Sequence, residues 1–190
     1  MNSQQSSEII LPRAADAAKY MLLKKGSLTG FELEKLLYYC QAWSLAIDRK
    51  PLFREEIHAY ENGPVVKAVS MQHMGQRTVL PSSINGDVNA LSDADVALID
   101  AVLKAYEGMT GDQLAKLSHE EEPWQLCFNG LNGNAAAVIP NELIQSYYVR
   151  LLTANVADQL YHHVPHFDHP KNIYVNQSDY AWLISYLDEE

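Results

Sequence analysis

At 190 residues and 21.4 kDa, with 47% hydrophobic and 20% charged residues, the chain fits a single globular domain and is too apolar to be disordered as a whole. A chain of this length hides roughly 70% of its unfolded surface on folding, so a core forms without disulfides or metal staples. The net charge of −10 falls on the second half: residues 1–86 carry 10 Lys/Arg against 8 Asp/Glu, and residues 87–190 carry 4 against 16. Phosphate binding needs clustered cations, so nucleic acid is not expected as the main partner. A basic protein is easier to accommodate, although an acidic surface also simply confers solubility.

The segment Met1–Glu8 has neither the basic region nor the apolar stretch of a signal peptide, and no run approaches the ~18 apolar residues of a membrane span. Cys40 sits in an apolar helical pattern and Cys127 follows Trp124, which reads as two unpaired thiols in a reducing compartment. A soluble, cytoplasmic protein without membrane contact is expected.

In chain order, a first helix is expected from near Pro12 to Lys24-Lys25-Gly26, with Ala14, Ala17, Ala18, Met21 and Leu22 buried. A second begins at Thr29, where Glu32 completes a capping box. Its Leu33, Leu36, Leu37, Cys40, Trp43 and Ile47 keep helical spacing, which marks it as the central helix. Ile57-His58-Ala59-Tyr60 reads as a short strand stopped by Glu61-Asn62-Gly63, and Pro64 is expected to open a helix through Val65, Val66, Val69 and Met74 to Gly75. A second short strand is expected at Thr78-Val79-Leu80. Ser92 with Asp93 and Asp95 starts a helix that ends at Gly108, and Thr110 with Gln113 repeats the capping-box signature and starts another through Leu117. Trp124–Phe128 forms a helical turn, and the pattern from Asn141 to Leu152 marks a further helix. Beyond Asn155 comes a His/Pro-rich connector, then a last helix from Ser178 to Leu187. The expected class is mainly α, a single-domain compact helical bundle with at most a small β hairpin or short strands; residues 1–154 form the domain and residues 155–190 a C-terminal extension.

The enzyme signals are thin. His119-Glu120 begins like a zincin helix, but the second His would fall at position 123, which is Pro. His119 therefore reads either as a structural ring in the corner before Trp124 or as a general base or ligand. His162, His163, His166, Asp168 and His169 hold enough donors for Zn or Ni. Pro165 and Pro170 break the helix that would align them, so no metal is assigned and no cofactor is expected. Phosphate-cradling loops and a nucleophile elbow are missing, and Cys40 is placed as a buried, neutral thiol. Tyr38, Tyr39, Trp43, Tyr60, Trp124, Tyr147 and Tyr148 divide between core and contact anchors.

Four blocks in order carry a family resemblance: Leu33 to Trp43 (Leu-Glu-Lys-Leu-Leu-Tyr-Tyr-Cys-Gln-Ala-Trp), Pro51-Leu52-Phe53, Ala59-Tyr60-Glu61-Asn62-Gly63-Pro64-Val65, and Leu117-Ser118-His119 with Pro123-Trp124. Over roughly residues 14–152 the chain resembles the Panacea domain, the SocA-like or GepA-type antitoxin domain. It departs from the family where Gln is usual at Glu34 and Trp at Tyr60. The resemblance implies a mostly helical antitoxin that neutralises a co-encoded protein toxin by direct contact. An adaptor delivering a toxin to a ClpXP-type protease, and a His- or metal-dependent enzyme, are the alternatives; oligomeric state is left unassigned. The toxin-binding surface is expected where Lys35, Tyr39 and Gln41 lie off the Leu33/Leu37/Cys40 line, beside the turn Tyr60, Glu61 and Asn62. Gly63, Pro64, His119 and Trp124 are expected to support that surface structurally.

Overall fold

Thr29 Oγ1 accepts the Glu32 amide at 3.2 Å while Glu32 Oε2 accepts the Thr29 amide at 2.7 Å, and this reciprocal cap, worth about 1 kcal/mol, starts α2 at Gly30. The computed structural model describes residues 11–131 and 135–166. Helix α2 (Gly30–Ile47) is buried without interruption from Leu33 to Ile47, so it is the axis of the fold rather than a helix with one wet face.

Around it stand α1 (Ala14–Lys25), α4 (Asp93–Ala105), α5 (Gly111–His119) and α7 (Asn141–Thr153). Helix α1 presents the small residues Ala14, Ala17 and Ala18 with Met21 and Leu22, all at 0% exposure, and ends where the Gly26 amide bonds the Leu22 carbonyl at φ +80°. The other expected box forms, Thr110 with Gln113 ahead of α5, and Ser92, expected only as a helix start, makes a reciprocal cap with Asp95 ahead of α4. The short helices α3 (Lys67–Ser70), α6 (Glu122–Cys127) and α8 (Val156–Tyr161) fill the periphery.

Among the described residues the strands form two small antiparallel sheets. One pairs β1 (Leu28–Thr29) with β4 (Thr78–Val79). In the other, β2 (Ile57–Tyr60) lies between β3 (Gly63–Val65) and β5 (Val138–Ile139). The fold is mainly α, as expected.

The structure corrects the reading at Pro64. It opens no helix but lies in β3 opposite Ala59, on an edge strand where a missing N–H costs no ladder bond; the helix waits until Lys67. Met74, expected on an apolar helix side, is 75% exposed in the turn beyond α3. Helix α8 begins where only a connector was expected. The expected helix at 178–187 lies outside the described residues.

Candidate functional site

The turn between β2 and β3 is two residues long, and both Glu61 and Asn62 are exposed. Its geometry rests on Gly63 at φ +99°, a conformation that L side chains rarely adopt. A Cβ there would sit 2.8 Å from Ser118 Oγ and 2.9 Å from Lys35 Cε, so the glycine also lets the turn seat directly on α2 and α5.

Three side chains hold the backbone of this turn. Trp124 Nε1 donates to the Tyr60 carbonyl at 2.9 Å, the His119 ring hydrogen-bonds the Glu61 backbone, and Lys35 Nζ donates to the Pro64 carbonyl at 2.9 Å. The clamp thus draws on α2, α5 and α6 to fix the tip from Tyr60 to Pro64. Behind it His119 stacks on Trp124 at 4.1 Å and Trp124 on Phe128 at 4.6 Å, a file of rings that keeps both donors in place.

Lys35 is fully buried, and desolvation pulls its ammonium down to about 8, partly opposed by Glu34. Glu34 Oε2 lies 3.9 Å away, so the firm contact of the buried cation is the Pro64 carbonyl. His119 is held below the usual imidazole range by burial and by the Lys35 charge, with the Glu61 backbone pulling the other way. Of the two roles open to His119, its contacts fit the structural one.

The structure corrects the expectation that α2 offers an exposed edge. Lys35, Tyr39 and Gln41 are each 0% exposed, because α2 is covered on every side. Tyr39 stacks on Tyr106 at 4.2 Å and bonds the Leu114 carbonyl. Gln41 accepts the Leu52 and Phe53 amides at 2.9 and 3.1 Å and donates back to the Phe53 carbonyl, pinning the loop after α2. Of the six residues expected to form the contact surface, only Glu61 and Asn62, with the half-buried Tyr60, face solvent.

Sequence reasoning passed over the charged hub of the fold. Glu121, 1% exposed, accepts Tyr38 Oη at 2.9 Å and Tyr148 Oη at 2.7 Å on one carboxylate oxygen, and burial raises it to about 7. Its neighbours Glu120 and Glu122 bond Tyr161 and Arg150. One three-residue run therefore ties the α5–α6 corner to α2, α7 and α8. The signal was present in the sequence: consecutive glutamates at a helix junction in a chain rich in helical tyrosines. Burial also pushes the Cys40 thiol up, which removes it as a nucleophile.

Among the described residues, no group of three or more His, Cys, Asp or Glu is arranged to hold a metal. His163 stacks on Tyr106 at 5.3 Å, and Tyr106 Oη bonds the His162 carbonyl at 3.0 Å. Asp168 and His169 lie outside the described residues. No described helix is long and apolar enough to cross a membrane.

Residues 33–125 match the family described as antitoxin SocA-like, Panacea domain. The resemblance read from the sequence is shown over that segment, which runs from α2 to α6 and contains the clamped turn with all three of its holding side chains. Helices α1 and α7 lie outside the match but complete the packing around α2. No curated protein and no solved structure matches the chain.

Proposed function

We propose, with the SocA-like Panacea match over residues 33–125 as premise, that this chain is a toxin-neutralising antitoxin that works by direct protein contact rather than catalysis. The observation that supports this most is the turn itself: two exposed residues, Glu61 and Asn62, stand on a backbone held by three buried or half-buried donors from three helices. A tip prepared in this way loses little conformational freedom when it meets a partner, which favours tight binding. Such an investment in positioning an exposed turn fits recognition.

Lys35, Tyr39 and Gln41 enter this reading as residues beneath the contact surface, Lys35 by holding the turn and the other two by fixing α2 against its neighbours. The acidic second half of the chain would speed encounter with a basic toxin. The test is co-expression with the product of the adjacent open reading frame. Growth arrest by the neighbour alone and growth with this chain support neutralisation; rescue only in cells that hold an active ClpXP-type protease would instead favour delivery. A harmless neighbour, or no rescue by this chain, contradicts the reading.

A further inference from the structure

A second open feature lies one residue from the Lys35 clamp. Between the start of α2, the turn after α3 and the start of α5 runs a groove of about 720 Å³. Its apolar surface comes from Phe31 and Met74, 39% and 75% exposed, two large side chains left open to water at one place. Gly111 makes room for the first: a Cβ there would lie 2.7 Å from Phe31 Cβ.

The groove's charges are unbalanced. Glu32, Glu34 and Asp112 line it against Arg77, with the buried Lys35 ammonium 3.9 Å from Glu34. His73, only 5% exposed, forms part of the wall, and its Nε2 has no hydrogen-bond partner. That nitrogen lies 3.4 Å from Glu34 Oε1 without reaching hydrogen-bond geometry.

We infer that this groove receives a segment of a protein partner in which an apolar side chain stands beside Lys or Arg. The apolar group packs on Phe31 and Met74, and the cation meets the exposed Asp112 and the partly exposed Glu32. Acidic segments are disfavoured by the same carboxylates, and a wholly apolar one forgoes the charge pairing with the exposed Asp112. The inference rests on the antitoxin reading only for the partner being the toxin; the groove chemistry stands apart from it.

The test uses the full chain, isotope-labelled, titrated with acetyl-Leu-Arg-Leu-Arg-amide and, separately, acetyl-Leu-Glu-Leu-Glu-amide while backbone amide signals are followed. Short peptides bind such grooves in the millimolar range. The expected result is saturable shifts at Gly30, Phe31, His73, Met74 and Gly111 with the basic peptide only, weakened about 5-fold or more by Asp112→Lys. Silence at those residues up to about 5 mM, equal response to both peptides, or shifts unaffected by Asp112→Lys would each overturn it. No toxin enters this titration, so a failed neutralisation assay leaves the peptide result standing, and a failed titration leaves neutralisation standing.

Discussion

Lys35 Nζ donates to the Pro64 carbonyl at 2.9 Å from a position with no solvent exposure. A buried ammonium beside a two-residue turn makes the hairpin tip dependent on α2, and it also gives the fold a titration signature. The folded ammonium titrates near 8 against an ordinary 10.5, so between those values the unfolded chain holds more protons and stability rises with pH. Urea unfolding at about pH 7.5 and about pH 9.5 should show the wild type gaining stability relative to Lys35→Met over this window. A difference independent of pH would place the ammonium in water.

Gly63→Ala should cost about 2 kcal/mol or more, since it combines a positive φ with contacts under 3 Å to Ser118 and Lys35. For a chain of this size that lowers the melting temperature by roughly 5 °C. An unchanged melting curve would mean that the tip does not sit on α2 and α5.

Glu121 carries the opposite sign. Burial raises its folded value to about 7 from an ordinary 4.5, so its contribution is fully present below about 4.5 and is lost as pH rises through about 7. That difference amounts to at most about 3 kcal/mol. Tyr38 and Tyr148, which donate to it, and Glu120 beside it keep their places in Glu121→Gln, so the variant should show a flatter stability profile between about pH 4.5 and 7. Identical profiles would show that the carboxylate titrates normally.

Tyr39, expected from its spacing to be a contact residue, belongs to the core, so Tyr39→Ala should act on folding. The ring is fully buried on Tyr106, and emptying an aromatic site in a core costs about 3–5 kcal/mol. Thermal unfolding monitored by circular dichroism checks this; a variant as stable as the wild type would put Tyr39 outside the core.

The local signals were legible where they were self-contained. Thr29 with Glu32, Ser92 with Asp95 and Thr110 with Gln113 each start a helix because both halves of the cap lie within four residues. The Ile57–Tyr60 strand and the corner at Trp124 were legible for the same reason. Strands β1 and β5 were not, since they exist only through pairings between distant parts of the chain, Leu28 with Val79 and His58 with Val138.

The candidate site divides in the same way. Gly63, Pro64, His119, Trp124 and the turn residues were named from sequence and do converge. Lys35, Tyr39 and Gln41 were named for an exposed edge that α2 lacks. Polar side chains on one helix suggest a wet face, and only the tertiary arrangement shows that Pro64, Leu114 and the Leu52-Phe53 backbone satisfy them from within. Glu121 was passed over because its tyrosine partners lie 83 and 27 positions away.

The most direct measurement is the dissociation constant of the purified toxin from the wild-type chain and from Asn62→Arg, by calorimetry at fixed salt. Asn62 is exposed at the tip of the clamped turn, so the substitution leaves the core untouched while placing a bulky cation in the contact. The expected result is an unchanged melting temperature with binding weakened about 30-fold or more, the roughly 2 kcal/mol of a contact hot spot. Equal affinities for two equally folded chains would contradict the assignment of the Glu61–Asn62 turn as the neutralising surface.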